Sequence, residues 1–284
     1  MDIYREIESF CGRAETESRI FGKSAFGRNL YALKRGEGRP VCLAQYAIHG
    51  REYVTAKLAL AHLRLGTAGT LWVVPLANPD GALLSECGLL SAPAERRAEL
   101  LRINGSDDFS LWKANGRAVD LNVNFPADWG RGARNVRAPA SENYIGPTPL
   151  SEPESRALKE LTEALRPDFT VSYHTKGEEI YWHYHQPLSA CARDKRLAQA
   201  LSDSTGYPLC RAAGSTGGYK DWCIARLHIP AFTVEAGKDG FSHPLGEREY
   251  ADVERHNLYA LRALAEEWLA AEREGGGGTR ERGS

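Results

Sequence analysis

The sequence has little that would suit it to a membrane or a nucleic acid. Thirty-six Lys and Arg residues are balanced by 37 Asp and Glu residues, so the formal net charge is −1 and no basic excess favours anionic partners. No apolar run approaches the roughly 20 residues that a membrane-spanning helix needs. Residues 1–6 show no basic segment followed by an apolar one, so no secretory signal is visible. We therefore expect a soluble cytoplasmic protein with no membrane or nucleic-acid partner.

The cysteines also lack any arrangement that is typical of a metal site. They are scattered, with no C-x-x-C pair and no cysteine–histidine pair at zinc-finger spacing, and they lie at Cys11, Cys42, Cys87, Cys191, Cys210 and Cys223. An even number would permit disulfides. Without an export signal, free buried thiols are the preferred interpretation.

What the chain does have is the composition and patterning of an α/β protein. Of its 284 residues 42% are hydrophobic and 26% are charged, which is ordinary for a globular chain, and apolar β-branched runs alternate with amphipathic stretches. The patterns predict strands at residues 28–34, 41–48, 70–76, 168–173 and 231–235. They predict helices at residues 53–65, 152–165 and 252–273, and Ser151 is the predicted N-cap of the second helix. Residues 78–81 favour a turn, and residues 82–149 favour long surface loops. Residues 1–274 are predicted to form a single domain, which a flexible tail at residues 275–284 follows.

The chemistry-bearing residues follow predicted strands. His49 and Glu52 come directly after the strand at 41–48, and a spacing of three residues brings an imidazole and a carboxylate to one metal ion. This spacing by itself also arises by chance. Its position raises its significance, because open α/β sheets place their sites at the carboxyl ends of strands.

A third ligand and a base are available on other strands. His174 follows the strand at 168–173, although a histidine there can also be a structural hydrogen-bonding residue. Glu235 ends an apolar run, where a charged residue is unexpected unless it faces a site; the alternative is a solvated strand end. A zinc hydrolase needs such a carboxylate, separate from its ligands, to take a proton from water.

Taken in order, these segments resemble the zinc carboxypeptidase family, the M14 metallopeptidases. The resemblance covers nearly the whole chain and is carried by residues 22–28, 49–52, 78–81, 119–122, 172–174, 217–222 and 232–235. It implies a mixed, mainly parallel eight-stranded sheet flanked by helices, with one zinc ion per chain at the strand ends.

The resemblance also implies roles for individual residues. It makes His49, Glu52 and His174 the zinc ligands and Glu235 the general base and acid. Asp120 resembles the carboxylate that orients the first histidine ligand. Three residues fall on positions that contact substrate or stabilise the oxyanion, and these are Arg51, Asn122 and Lys113.

Two departures from the family pattern bear on the substrate. The arginine that clamps a terminal carboxylate is replaced by Val123, and Ala213 falls near the place of the tyrosine that closes over the substrate. Tyr207 and Tyr219 lie nearby but out of register. An ordinary C-terminal exopeptidase is therefore not what these positions favour.

Other local segments resemble the bacterial γ-D-glutamyl-meso-diaminopimelate peptidases, which cut peptidoglycan stem peptides. They lie at residues 112–117, 125–129, 146–154 and 174–182. On this interpretation a substrate with several carboxylates is bound by cations at Arg131, Arg134, Arg137 and Lys220. A solvated loop is the alternative for the arginines.

Three functions remain open from the sequence. The first is a zinc amidase that acts on a small peptide or soluble muropeptide, either inside the cell during cell-wall recycling or in a spore mother cell. The second is a general zinc carboxypeptidase with a rearranged terminal-carboxylate site. The third is a metal-binding module without catalysis, which Glu235 argues against, because a pure binder has no need of a carboxylate that is not a ligand.

Overall fold

The centre of the fold is formed by strands that are buried along almost their whole length. A computed structural model describes residues 2–13, 17–211 and 214–277. In it β3 and β5 are buried on both faces, as parallel strands covered by helices on each side should be. The strands are β1 (Glu17–Lys23), β2 (Asn29–Arg35), β3 (Val41–Tyr46), β4 (Thr70–Val74), β5 (Phe169–His174), β6 (Glu179–Tyr181), β7 (Leu209–Cys210) and β8 (Ala231–Glu235).

These strands make one sheet of eight, in the order β1-β2-β4-β3-β5-β8-β6-β7. The pairs β3–β4, β3–β5, β5–β8 and β6–β7 are parallel. The pairs β1–β2, β2–β4 and β6–β8 are antiparallel. The predicted α/β domain with a mixed, mainly parallel eight-stranded sheet is confirmed.

Helices cover both faces of the sheet. Alternate residues of β3 point to different cores: Cys42 and Ala44 pack with α1, α2, α6 and α9, whereas Leu43 packs with α5 and α7. The α-helices of the described residues are α1 (Ile3–Cys11), α2 (Thr55–Leu65), α3 (Pro79–Cys87), α4 (Ala94–Asn104), α5 (Pro153–Leu165), α6 (Leu188–Thr205), α7 (Tyr219–Trp222), α8 (Glu247–Asn257) and α9 (Ala260–Gly277).

Several local predictions need correction. The turn expected at 78–81 is the start of α3, because the Asn78 side chain accepts from the Gly81 N–H and caps the helix. Residues 82–149 are not all surface loop: they include the rest of α3 and α4, and Trp112 is fully buried in a third core cluster. Ser151 is not the N-cap of α5, since Glu152 holds that position.

The end of the chain also differs from the prediction. The helix expected at 252–273 is two helices, α8 and α9, and α9 continues to Gly277, three residues into the predicted tail. The rest of that tail lies outside the described residues. Among the described residues, no helix is long and apolar enough to pass through a lipid bilayer. All six thiols are free, but only Cys42 and Cys223 are fully buried and Cys87 is exposed.

Candidate active site

Three neighbouring parallel strands end at the same edge of the sheet and bring the predicted residues together. His49 lies three residues beyond the end of β3, whereas His174 and Glu235 are the last residues of β5 and β8. His174 and Glu235 are register partners across the β5–β8 pair. Glu52 joins them because residues 50–52 form a single 3₁₀ turn immediately after His49.

Buried backbone contacts fix that turn. The Gly50 N–H donates to the Lys113 carbonyl oxygen at 2.9 Å. A Cβ atom at residue 50 would lie 2.7 Å from the Trp112 carbonyl oxygen, so only glycine fits between these segments. Asn78 ties the end of β3 to the same loop, because its Nδ2 donates to the carbonyl oxygens of Ile48 and Ala114, both at 3.1 Å.

Two imidazoles and one carboxylate converge at the strand ends. The Nδ1 atoms of His49 and His174 lie 3.1 Å apart. Each lies close to a different oxygen of Glu52. His49 Nδ1 is 2.9 Å from Oε1, and His174 Nδ1 is 3.0 Å from Oε2. All three residues are buried. Burial by itself would raise the pKa of Glu52, but the two histidines outweigh it and hold that pKa well below its usual range.

A second carboxylate supports the arrangement from behind. Asp120 Oδ1 lies 3.3 Å from His49 Nε2, and its Oδ2 lies 3.0 Å from Lys113 Nζ. Although Asp120 is fully buried, Lys113 and His49 lower its pKa. The ionised Asp120 carboxylate beside Nε2 favours the tautomer of His49 with its proton on Nε2, which leaves the Nδ1 lone pair directed at Glu52 and His174.

This donor set fits a zinc ion. Two imidazole nitrogens and a carboxylate are the ligands of many catalytic zinc sites, which leave one further position open. The fit rests on the convergence of two Nδ1 atoms and both Glu52 oxygens, with Asp120 placed to set the tautomer of one ligand.

A second group of possible metal ligands in the described part of the chain is only partly buried. It consists of Glu178, Asp252 and His256. Asp252 is already paired with Arg255 and lies 3.6 Å from Lys238 Nζ. We interpret this group as a partly exposed ion-pair network.

Glu235 lies beside the converging donors without being one of them. It faces the cleft and is partly exposed, unlike the four buried residues that precede it on β8. Burial raises the pKa of Glu235 to about 7, against the opposing effect of His174 and with a contribution from the Glu52 carboxylate. A carboxyl group with a pKa near neutrality can both accept and return a proton.

The cleft has two lobes, which share His49, Lys113, Arg134, Tyr181 and Glu235. The first, the Lys220 basin, has a volume of about 400 Å³ and is lined in part by residues 132–135, 214–215 and 218. The second, the His243 basin, has a volume of about 380 Å³. Its distinguishing residues are Arg51, Glu52, Thr175, Lys176, Glu179, Asp239 and His243.

The Lys220 basin contains three of the predicted substrate-binding residues, Asn122, Arg134 and Lys220. Asn122 Oδ1 accepts from the Tyr219 N–H at 3.2 Å, so its amide orientation is set by the backbone. Lys220 is almost completely buried, with Nζ 2.6 Å from Asp221 Oδ1. Val123 also lines this basin and contributes an apolar surface where the family pattern has an arginine.

Not every predicted cation reaches the cleft. Arg134 lines both basins and Arg51 lines the His243 basin. Arg131 lines neither basin, and its side chain is 79% exposed and 3.8 Å from Asp128. Arg137 also lies outside them and donates to the Gly130 carbonyl oxygen. The arginine cluster therefore divides into one cleft residue and two surface residues.

Sequence reasoning missed Tyr181, which lines both basins. β6 is only three residues long, too short for its periodicity to be recognised, but its antiparallel pairing places Tyr181 beside Thr233 of β8. Tyr207 and Tyr219 are buried away from the cleft, where their hydroxyl groups bond with Asn257 and Thr162. The predicted loss of the closing tyrosine at Ala213 falls outside the described residues.

Comparison with known proteins agrees with this geometry. The family model described as zinc carboxypeptidase matches residues 14–257. The chain belongs to the zinc carboxypeptidase family. The predicted family resemblance is thereby confirmed, and with it the prediction of a metallopeptidase hydrolase that uses zinc.

Relatives of this chain include a γ-D-glutamyl-L-diamino acid endopeptidase and a murein-tripeptide amidase. The chain is 30% identical over 248 residues to γ-D-glutamyl-L-diamino acid endopeptidase 1 of Lysinibacillus sphaericus, a match that covers 80% of this chain and 62% of that one. The structure of murein-tripeptide amidase from Escherichia coli O157 is 25% identical, with a TM-score of 0.58 and coverage of 89% and 93%. Bovine thrombin-activatable fibrinolysis inhibitor, at 19% identity, shares the fold with a TM-score of 0.77 and coverage of 95% and 98%.

Proposed function

We propose that this zinc peptidase hydrolyses the γ-D-glutamyl-meso-diaminopimelate bond of peptidoglycan stem peptides. The observation that carries the proposal is the charge of the Lys220 basin. Arg134 and Lys220 line it together with Glu235, whereas Val123 stands at the position of the missing terminal-carboxylate arginine. Such a basin suits a leaving group with a second carboxylate at its far end. The names of two relatives point to the same substrate class.

The far end of diaminopimelate carries an amine as well as a carboxylate. Lys220 and Asp221 form a buried pair of opposite charges beside the same basin. A zwitterionic group is complementary to such a pair, because its carboxylate faces the cation and its amine faces the anion. The Nδ2 group of Asn122 can donate to the other carboxylate of the released residue, since its Oδ1 is held by Tyr219.

The protein residues around the scissile bond then have separate tasks. When bound, zinc supplies a Lewis acid that polarises a carbonyl oxygen and lowers the pKa of water. Glu235 accepts the proton of the attacking water and returns it to the leaving amine. Lys113 contributes positive charge where the carbonyl oxygen becomes anionic: although burial opposes it, Asp120 and Glu52 raise the pKa of Lys113 and keep it charged.

The test is product analysis by mass spectrometry. The zinc-loaded protein is incubated with L-Ala-γ-D-Glu-meso-diaminopimelate, and we expect free diaminopimelate and L-Ala-D-Glu. Blocked dipeptides that end in Phe, Leu or Lys should be cleaved much more slowly. If the blocked dipeptides are the better substrates, the general carboxypeptidase takes the place of this proposal. Cleavage of intact murein in preference to the tripeptide would contradict the assignment to small muropeptides.

Charge-removing variants sharpen the test. Arg134→Gln and Lys220→Met should raise KM for the diaminopimelate tripeptide more than for its L-lysine analogue, which lacks the extra carboxylate. Arg131→Gln and Arg137→Gln are matched controls, because these arginines line neither basin. An equal change in KM with both substrates would show that the two cleft cations do not bind the carboxylate at the far end of diaminopimelate.

A further inference from the structure

The His243 basin contains hydrogen-bonding groups that the proposed chemistry does not use. Besides His49 Nε2 at the metal site, three buried atoms of its lining side chains have no hydrogen-bond partner among the described residues: Arg51 Nε, Thr175 Oγ1 and His243 Nδ1. Buried polar atoms are nearly always satisfied in folded proteins, by protein, water or ligand, so these three are available to a molecule that binds in the cavity. Each of the three side chains can donate a hydrogen bond.

Four carboxylates line the basin as well, Glu52, Glu179, Glu235 and Asp239, but two of its cations, Lys176 and Arg51, are only weakly neutralised. Lys176 Nζ contacts Asp239, but the Asp239 side chain is 91% exposed. Arg51 Nη1 lies 3.5 Å from Glu142, which is 48% exposed. Ion pairs with solvated carboxylates are worth little, so an anion that enters the cavity can displace them at small cost. Donors and cations together favour a carboxylate.

The position of the basin indicates which part of a substrate it would bind. A peptidase that releases a terminal residue encloses that residue and leaves a path for the rest of the chain. With the leaving residue assigned to the Lys220 basin, the acyl half of the substrate is assigned to the His243 basin, which adjoins it at Glu235.

We propose that the His243 basin binds the free α-carboxylate of a γ-linked glutamyl residue, through Lys176, Thr175 and His243 beside Arg51. This inference rests on the proposed function. In a γ-glutamyl bond the α-carboxylate stays free, only a few bonds from the scissile carbonyl. In an ordinary α-linked peptide the corresponding position is a neutral amide. The basin therefore selects the γ-linkage, as the Lys220 basin selects the leaving residue.

The experiment compares two tripeptides that differ only at this group. One is L-Ala-γ-D-Glu-meso-diaminopimelate, and the other carries an α-carboxamide, as in D-isoglutamine. For Lys176→Met we expect kcat/KM to fall about tenfold with the carboxylate substrate and less than about threefold with the carboxamide, because a charge-assisted hydrogen bond is lost in one case only. Lys176→Arg should restore most of the preference.

Lys238→Met is the matched control, because Lys238 lies near the same loop but lines neither basin and its side chain is 53% exposed. His243→Gln, which keeps an N–H donor, should retain more of the carboxylate preference than His243→Leu. Zinc content and melting temperature of each variant show whether the fold and the metal site are intact.

The outcomes separate the two proposals. If the wild type cleaves both tripeptides and Lys176→Met weakens both equally, or no more than Lys238→Met does, the carboxylate site is wrong while the proposed function stands. If the wild type cleaves neither tripeptide, the proposed function fails, and this inference fails with it.

Discussion

At the level of single residues, the proposed mechanism separates proton transfer, which it assigns to Glu235, from metal binding. Glu235 lies next to His174 across two paired strands, yet both oxygens of Glu52, rather than its own, meet the histidine Nδ1 atoms. Its raised pKa of about 7 is a consequence of burial beside the Glu52 carboxylate. A group in this position can exchange protons with water and a leaving amine without leaving its strand.

Glu235→Gln should therefore keep zinc and lose turnover. We expect kcat to fall by about 10²–10⁴, the usual contribution of general acid–base catalysis, with little change in KM. Steady-state kinetics and metal analysis of the purified variant measure both. Glu178→Gln is the control, since Glu178 lines neither basin. Turnover near that of the wild type would assign the proton transfer to another group.

His174→Ala, in contrast to Glu235→Gln, should lose zinc. Its Nδ1 is one of the converging donors, and a site with two ligands instead of three holds zinc weakly. We expect most of the zinc to be lost on dialysis while the circular dichroism spectrum is unchanged. His185→Ala, at a side chain that is 71% exposed, should keep about one zinc per chain. Full occupancy in His174→Ala would remove it from the ligand set.

At the level of elements, the first turn of α5 is held by buried carboxylates. Glu154 Oε1 accepts from the Ala25 N–H at 2.8 Å, and its Oε2 accepts from Asn115 Nδ2 at 3.2 Å. The same Nδ2 group donates to Glu152 at 2.8 Å. Burial raises the pKa of Glu154 to about 8, and the nearby Asp80 carboxylate adds to the rise. The helix therefore begins with a carboxyl group that is protonated at neutral pH.

This predicts a stability that falls as the pH rises. The pKa of Glu154 is about 8 in the folded protein and near 4.5 when unfolded, so its contribution is complete below pH 4.5 and is lost as the pH passes through 8. The slope is at most about 1.4 kcal/mol per pH unit. Glu154→Gln should flatten the dependence of melting temperature on pH over this range. Glu160→Gln, on the exposed face of the same helix, should leave it as in the wild type.

At the level of the whole molecule, we expect the fold not to depend on the metal. The larger core cluster lies between the sheet and helices α1, α2, α6 and α9, and contains none of the metal ligands. The ligands are nevertheless supplied by segments that are distant in sequence and are held in place by the sheet. Zinc is thus expected to add stability to a domain that is already folded.

Removal of zinc by a chelator should abolish hydrolysis and lower the melting temperature without unfolding the protein at 25 °C. Zinc at about a hundred times its dissociation constant contributes about 2.7 kcal/mol, which corresponds to a shift of several degrees for a domain of this size. Zinc added back should restore both properties, whereas Ca²⁺, which prefers oxygen ligands, should not. A chelator should leave the melting temperature of His174→Ala unchanged. An apo protein without native circular dichroism would show that the metal organises the fold.

The sequence by itself determined the class of the fold and the residues that converge at the candidate metal site. Long apolar strands and a histidine or glutamate at the end of each are local features, and the parallel order of β3, β5 and β8 brings those ends together. The order of the motifs was enough to predict the family, which the match over residues 14–257 confirms.

Only the tertiary structure decided which side chains share a cavity. Asn78 reads as a turn residue from its neighbours, but its Oδ1 accepts from the Gly81 N–H and caps α3, while its Nδ2 donates to the distant Ile48 and Ala114 carbonyl oxygens. Arg131 and Arg134 are indistinguishable in a loop sequence, and Tyr181 lies on a strand too short to show a period. Arg134 and Tyr181 line the cleft, whereas Arg131 points away, because the distant β8 and residues 214–218 form the opposite wall. Such contacts join residues far apart in the chain, and no local pattern encodes them.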